Sequence, residues 1–237
     1  MIHLRQAQSL NYYTAFSPTM IVAIIQARMK STRLPGKVLM DIEGKPMLQR
    51  VIERVKESKL IDEIIVAIPY ENYNQLVQLI MKCKVLRYAG SSNNVLDRFY
   101  QAVPPEATTI VRITSDCPLI DPEVIDKTIQ YFLDNDIDYI YNLPPYPDGL
   151  DTEVFSYRAL EKSWLEATSD YDKEHVTTYI RNHPEIFRIG KLNYERDLSH
   201  FKWSVDTEKD LEFVRQTYQK LGDEFHLQDI LNLVEEK

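Results

Sequence analysis

Residues 20–40 read Met-Ile-Val-Ala-Ile-Ile-Gln-Ala-Arg-Met-Lys-Ser-Thr-Arg-Leu-Pro-Gly-Lys-Val-Leu-Met, an apolar run that passes directly into a basic loop. The run from Ile21 to Ala27 is short, rich in β-branched residues and bounded by polar ones. This pattern is typical of a strand that is covered on both faces. We therefore expect a central parallel strand here, followed by a functional loop.

The loop after this strand has the composition of a phosphate-binding segment. Its cations are Arg28, Lys30, Arg33 and Lys37, and its neutral donors are Ser31, Thr32 and the backbone N–H groups around Gly36. Such groups suit phosphate oxygens. The P-loop pattern does not match, because Ser31 and Val38 stand where it needs Gly and Ser or Thr. The six glycines are too far apart for G-x-G-x-x-G. On spacing alone, a different nucleotide loop and a solvated basic turn are equally good interpretations.

The rest of the chain alternates between helical and strand patterns. Strands are predicted at 64–68, 85–89, 109–114 and 137–141, and helices at 46–55, 73–81, 95–103 and 122–133. This alternation predicts a mostly parallel sheet with helices on both faces, in a right-handed doubly wound α/β arrangement. Further helices are predicted at 158–167, 172–182, 207–221 and 227–234, and strands at 187–192 and 201–205.

The predicted organisation is one domain with an extension. Residues 1–19 precede Met20 and the first strand, so they are interpreted as an N-terminal extension, and 20–237 as a single domain. Three prolines at 144–147 interrupt the alternation, which predicts a loop excursion near 144–170.

Composition excludes several classes of protein. The net charge of −8 argues against a nucleic-acid binder or a membrane-surface binder. Two cysteines are too few for a disulfide framework or a zinc site and suit a reducing compartment. No stretch approaches the roughly 20 apolar residues that span a bilayer, and no signal peptide is recognisable. We expect a cytoplasmic protein.

Two carboxylates follow predicted strands, at the edge of the sheet where ligands bind in open α/β folds. Asp116 follows the strand at 109–114, and Asp206 follows the strand at 201–205. Mg²⁺ takes few protein oxygens and completes its shell with water and phosphate, so this pair predicts a magnesium site. Alternatively, Asp116 satisfies turn N–H groups and Asp206 caps a helix. Thr207 and Asp210 already form a plausible capping box, which favours the metal role for Asp206.

Six motifs, in their order along the chain, resemble those of a known protein family. They are IIQARMKSTRLPGKVL (24–39), VLDRF (95–99), RITSDCPLID (112–121), DGLDTEVF (148–155), EHVT (174–177) and VDTEKDL (205–211). The chain resembles, from Met20 to beyond Leu211, the spore coat polysaccharide cytidylyltransferase-like group within the family of CMP-sialic-acid and CMP-KDO synthetases. The resemblance implies a three-layer α/β/α nucleotidyltransferase of GT-A-like, Rossmann-like type with a mixed, mostly parallel sheet. It also implies Mg²⁺ as cofactor, CTP as donor, a homodimer, and transfer of CMP to a sugar acid or related acceptor for surface polysaccharide biosynthesis, with release of pyrophosphate.

Site roles follow from the matched motifs. The catalytic residues would be Arg28, Lys37 and Asp116, and the metal ligands would be Asp116 and Asp206. The nucleotide-binding residues would be Gln26, Ala27, Arg28, Ser31, Arg33 and Lys37. Gly90 and Ser91 would also bind the nucleotide, near the base. Lys30 departs from the family loop, which most often has Gly at that position.

The acceptor site is predicted on the residues around and after the proline-rich loop. Asp148, Asp151 and Glu153 would receive sugar hydroxyls, and Glu174 with His175 would orient or deprotonate the attacking group. The alternatives are ordinary turn chemistry at Asp148 and a structural role for His175.

Two other functions stay open at this point. The first is a glycosyltransferase that uses a nucleotide diphosphate sugar, against which the extended basic loop favours a free triphosphate. The second is a non-catalytic nucleotide-binding regulator, against which the presence of both carboxylates and Lys37 argues.

Overall fold

Strand β1 (Met20–Gln26) lies inside a seven-stranded sheet, with a neighbouring strand on each side, as the sequence predicts. The computed structural model describes residues 19–235, so the predicted extension lies outside the described residues except for Thr19. The other strands of the sheet are β4 (Glu63–Pro69), β5 (Leu86–Gly90), β6 (Ala107–Thr114), β7 (Tyr139–Tyr141), β8 (Glu153–Ser156) and β9 (Ile189–Lys191). Their order across the sheet is β5-β4-β1-β6-β8-β7-β9. β2 (Asp41–Ile42) and β3 (Lys45–Pro46) form a separate hairpin.

Strand directions make the sheet mixed and mostly parallel, which confirms the predicted fold class. β1 pairs in parallel with β4 and β6, as do β4 with β5 and β7 with β9. Within the seven-stranded sheet of the described residues, only β8 runs antiparallel to its neighbours, β6 and β7.

Helices cover both faces of the sheet. They are α1 (Met47–Val55), α2 (Tyr73–Lys82), α3 (Val95–Ala102), α4 (Pro122–Asp134), α5 (Tyr157–Glu166), α6 (Asp170–His175), α7 (Thr178–Asn182), α8 (Glu208–Leu221) and α9 (Leu227–Glu235). Successive side chains of β1 enter opposite layers: Ala23 and Ile25 belong to one apolar cluster, and Val22 and Ile24 to another. This alternation explains why the strand is apolar throughout. Among the described residues, no helix is long and apolar enough to cross a membrane.

Three predictions about helices and the region 144–170 differ from the structure. The predicted helix 172–182 is two short helices, because Val176 adopts φ +58° between them and is buried in the core. α1 begins at Met47, one residue after Pro46. The region 144–170 is more than an excursion, since it contributes β8 to the middle of the sheet and then α5.

The predicted strand 201–205 is an extended segment that joins no ladder of the sheet. It has one isolated bridge, from Lys202 to Asp148. Its backbone bonds go elsewhere: Trp203 N–H donates to the Asp148 carbonyl at 2.6 Å, and Val205 N–H donates to the Asp116 carbonyl at 2.8 Å. Trp203 is buried in a third apolar cluster with Leu34 of the basic loop. The segment therefore fixes the start of α8 beside that loop.

Gly149 permits this segment to approach the sheet. Its φ is +108°, and an added Cβ would lie 2.5 Å from both Ser204 N and the Trp203 carbonyl carbon. We expect Gly149→Ala to lower the free energy of unfolding by about 3 kcal/mol, because left-handed strain and a backbone clash add together. Urea unfolding measures this value.

Gly44→Ala is the matched control. Gly44 has φ +82°, but an added Cβ would meet no atom within 4 Å. Only the backbone strain then applies, and a loss of about 1 kcal/mol is expected. Equal losses in the two variants would contradict a special role for the close approach at Gly149.

Candidate active site

Lys37 joins two carboxylates that come from distant parts of the chain. Its ammonium donates to Asp116 Oδ2 at 2.8 Å, to Asp206 Oδ1 at 3.2 Å and to the Val205 carbonyl at 2.6 Å. Lys37 begins a 3-10 turn directly after Gly36, whose φ is +73°. Lys37 is only 8% exposed. Three predicted site residues thus form one cluster at the carboxyl end of β6.

Asp206 has further cationic neighbours. Its Oδ2 atom lies 2.8 Å from Arg33 Nη2 and 3.2 Å from Lys202 Nζ. Partial burial disfavours the charged carboxylate, but hydrogen bonds from Lys202 and Lys37 outweigh it and lower the pKa of Asp206. Asp206 is therefore ionised at neutral pH.

The start of α8 leaves the Asp206 side chain available. Thr207 and Asp210 form the predicted capping box: Asp210 N donates to Thr207 Oγ1 at 3.3 Å, and Thr207 N donates to Asp210 Oδ2 at 2.8 Å. Asp206 contributes only its backbone N–H to this cap, at 3.0 Å from Asp210 Oδ2. Its carboxylate faces Lys37 instead, so the alternative role as a helix cap is excluded.

The cluster opens onto a cleft of about 510 Å³ between the basic loop, α3 and the end of β6. The predicted residues that line it are Gln26, Ala27, Arg28, Ser31, Arg33, Lys37, Asp116, Glu174, His175 and Asp206. Gly90 and Ser91 are not among the lining residues. They lie behind Arg98, which lines the cleft and donates to the Ser91 carbonyl.

A second cavity of about 240 Å³ adjoins the cleft. Asp151 and Glu153 line it, and His175 lines both spaces. Asp148 lines neither space, and its backbone is bonded to the segment at 201–204. Of the predicted acceptor residues, Asp151, Glu153 and His175 thus meet at the second cavity. Glu174 lies in the cleft instead, where its Oε1 is 3.6 Å from Arg28 Nη1.

Glu153 is already committed to internal bonds. Its Oε1 accepts from Tyr139 Oη at 2.5 Å and from Thr177 Oγ1 at 3.0 Å, and its Oε2 pairs with Arg112. Burial opposes its ionisation, but Arg112 outweighs burial and lowers the pKa of Glu153. The carboxylate therefore holds the cavity wall in place, and both oxygens have partners without a ligand.

Sequence reasoning missed several cations of the two spaces. Arg98 and Arg112 line the cleft, Arg181 lines the second cavity, and Lys202 contacts Asp206. One signal was available: Arg112 is a charged residue within the apolar run of β6. Arg98 and Arg181 are on helices, where exposed arginines are common.

A family comparison identifies the class of protein to which the chain belongs. Residues 22–232 match the family model described as "Cytidylyltransferase". The chain belongs to the cytidylyltransferase family. It is accordingly a CTP-dependent nucleotidyltransferase, and the predicted resemblance is confirmed.

Relatives and a solved structure agree with this family. The cytidylyltransferase is 35% identical over 212 residues to the spore coat polysaccharide biosynthesis protein SpsF of Bacillus subtilis, covering 86% of this chain and 88% of SpsF. It is 34% identical over 115 residues to a 3-deoxy-manno-octulosonate cytidylyltransferase of Chloroherpeton thalassium, which is 48% of this chain and 46% of that protein. A solved cytidylyltransferase from Leptospira borgpetersenii is 31% identical with a TM-score of 0.88, covering 92% of this chain and 94% of that one.

Asp151 of this cytidylyltransferase should make stability depend on pH. Burial raises its pKa from 3.8 to about 6, although the Gly149 N–H donates to its Oδ2 at 2.7 Å. The folded state therefore holds this proton more tightly than the unfolded state, and the contribution of Asp151 to stability falls as pH rises from about 4 to about 6.

Asp151→Asn tests this pH dependence, because the amide keeps an acceptor oxygen for Gly149. We expect the variant to be more stable than the parent at pH 7, by about 2 kcal/mol, and to lose that advantage at pH 4. Urea unfolding at both pH values measures the difference. A pH-independent difference would contradict the raised pKa.

Proposed function

We propose that the cytidylyltransferase transfers CMP from CTP to a hydroxyl of a sugar acid or related acceptor, releasing pyrophosphate, in surface polysaccharide biosynthesis. The observation that carries the proposal is the Lys37 ammonium between Asp116 and Asp206 at the mouth of a cationic cleft. The names of the SpsF and 3-deoxy-manno-octulosonate relatives support the pathway and the acceptor class. We further propose that the enzyme acts as a homodimer in the cytoplasm.

Asp116 and Asp206 suit Mg²⁺ as the cofactor. Their side chains are 32% and 24% exposed toward the cleft, and they converge on one ammonium. Within 19–235 no cluster of three or more His, Cys, Asp or Glu could hold a metal, so an ion here would take these two carboxylates and complete its shell with phosphate and water. When bound, Mg²⁺ would supply positive charge to the phosphate oxygens.

The residues of the chain then have distinct tasks. The acceptor oxygen forms a bond to the α-phosphorus of CTP while the bond to the β-phosphate oxygen breaks. Lys37, Arg28 and Arg33 offset the negative charge that moves onto the departing pyrophosphate. Positioning and charge neutralisation account for most of the catalysis in such transfers.

The second cavity is our proposed acceptor site. It shares Arg112, Thr114 and His175 with the cleft, so an acceptor bound there reaches the nucleotide at this boundary. We propose that His175 orients the attacking hydroxyl and takes up its proton. Asp151 accepts a hydrogen bond from a second hydroxyl of the acceptor.

Nucleotide-dependent stabilisation tests the donor without knowledge of the acceptor. We expect CTP with Mg²⁺ to raise the thermal unfolding midpoint, since a ligand at 100 times its Kd stabilises by about 2.7 kcal/mol. UTP, ATP and GTP should have smaller effects, and omission of Mg²⁺ should reduce the effect of CTP. A folded protein that shifts with no triphosphate would refute the proposal and favour a diphosphate sugar as donor.

Lys37→Ala tests the catalytic cluster. We expect kcat for pyrophosphate release to fall about a hundredfold, because one charged transition-state contact contributes about 3 kcal/mol. Lys45→Ala is the control, since Lys45 pairs with Glu53 and Asp223 outside the cleft. Near-parental kcat in the Lys37 variant would remove this residue from the mechanism.

A further inference from the structure

Arg98 of α3 is a buried cation with few partners. It is 2% exposed and lines the cleft together with Val95. Its Nη1 donates to the Ser91 carbonyl at 2.5 Å, and Glu71 attracts it without forming an ion pair within 4.0 Å in residues 19–235. Its Nε is the one buried side-chain nitrogen or oxygen in residues 19–235 that lacks a hydrogen-bond partner. A buried charge in this condition is costly unless a partner arrives.

Two other buried arginines show how a purely structural guanidinium is held. Arg50 donates to the Ile42 and Glu43 carbonyls and pairs with Asp223 at 2.6 Å. Arg54 donates from Nε, Nη1 and Nη2 to three backbone carbonyls. Both are 2% exposed, like Arg98. Burial therefore does not explain the missing partners of Arg98.

The neighbouring charge identifies the kind of partner. Burial, followed by repulsion from Arg28, lowers the pKa of Arg98 to about 10, although the charge of Glu71 acts in the opposite direction. Arg28 belongs to the basic loop and lines the same cleft. Two cations that repel each other across a cleft are both stabilised when an anion binds there.

The backbone before α3 is shaped around Arg98. An added Cβ at Gly90 would lie 2.9 Å from Arg98 Cγ, so the absent side chain at Gly90 gives the arginine its place. Ser91 then holds the guanidinium through its carbonyl. Gly90 and Ser91, which the sequence places near the nucleotide, thus act through Arg98.

We propose that Arg98 is a nucleotide-binding residue of this chain, whose guanidinium donates hydrogen bonds to a phosphate group of the bound triphosphate. The inference rests on the proposed function, because it assigns the triphosphate to this cleft. Arg98 thereby extends the phosphate site from the basic loop to the start of α3.

Arg98→Met tests the proposal, with Arg87→Met on the exposed side of β5 as the matched control. Calorimetry would measure the affinity of each variant for CTP, inorganic tripolyphosphate and cytidine. We expect Arg98→Met to bind CTP and tripolyphosphate about tenfold more weakly or worse, as fits loss of a charged hydrogen bond, and to bind cytidine normally. Arg87→Met should match the parent in all three.

The stability of the free protein separates a binding role from a structural one. Because Arg98→Met removes a buried charge that forms no direct ion pair, we expect the unfolding midpoint without ligand to be unchanged or higher. A lower midpoint with parental CTP affinity would overturn the proposal. If Arg98→Met does not fold, Arg98→Lys carries the test, because it keeps the charge but loses the guanidinium fork and should also bind tripolyphosphate more weakly.

The remaining outcomes are distinct. Weaker CTP binding with unchanged tripolyphosphate binding would overturn the phosphate assignment, since Arg98 would then contact the nucleoside. Gly90→Ala should reproduce the loss of tripolyphosphate affinity by displacing Arg98. If the parent protein itself binds no triphosphate, the proposed function fails together with this inference; if the parent binds and Arg98→Met binds equally, only this inference fails.

Discussion

The structure of the site depends on one buried ammonium. Lys37 binds Asp116, 79 residues away, and Asp206, 169 residues away, so a single side chain ties together the basic loop, the end of β6 and the start of α8. Without it, the Asp116 and Asp206 carboxylates would repel each other, and Asp206 would keep Arg33 and Lys202 as cationic neighbours. The same three segments border the cleft, so the geometry of the fold and the electrostatics of the site have a common origin.

The sequence predicts the parts of this fold that local patterns determine. β1 and β4 contain continuous apolar runs because both faces of the sheet are covered, and such runs can be recognised from the sequence alone. β8 has only four residues and lies between β6 and β7, so its existence follows from tertiary pairing and not from its own pattern. Residues 201–205 have strand-like composition, but their N–H groups bond to Asp148 and Asp116. The β propensity of a sequence alone does not distinguish a strand that pairs within a sheet from an extended segment such as 201–205.

Site residues were predictable where the chain places them next to a strand end. The basic loop and Asp116 follow strands of the sheet, and Asp206 follows a segment that the sequence predicts as a strand. In open α/β sheets, ligands bind at the carboxyl ends of the strands. Arg98 and Arg181 lie within helices, and their position at the cavities depends on how those helices pack. Glu153 shows the opposite case: its motif suggested a ligand contact, whereas Arg112, Tyr139 and Thr177 occupy its oxygens.

The charge distribution explains how an acidic protein can select a small polyanion. The cleft is lined by six lysines and arginines but only three carboxylates, in a chain whose net charge is −8. A nucleoside triphosphate is small enough to enter a space of about 510 Å³ and meet mainly the local positive field. Outside the cleft the remaining net charge of the chain is negative, which disfavours a long nucleic acid there. The proposed triphosphate site thus depends on an excess of positive charge that is confined to one concave surface.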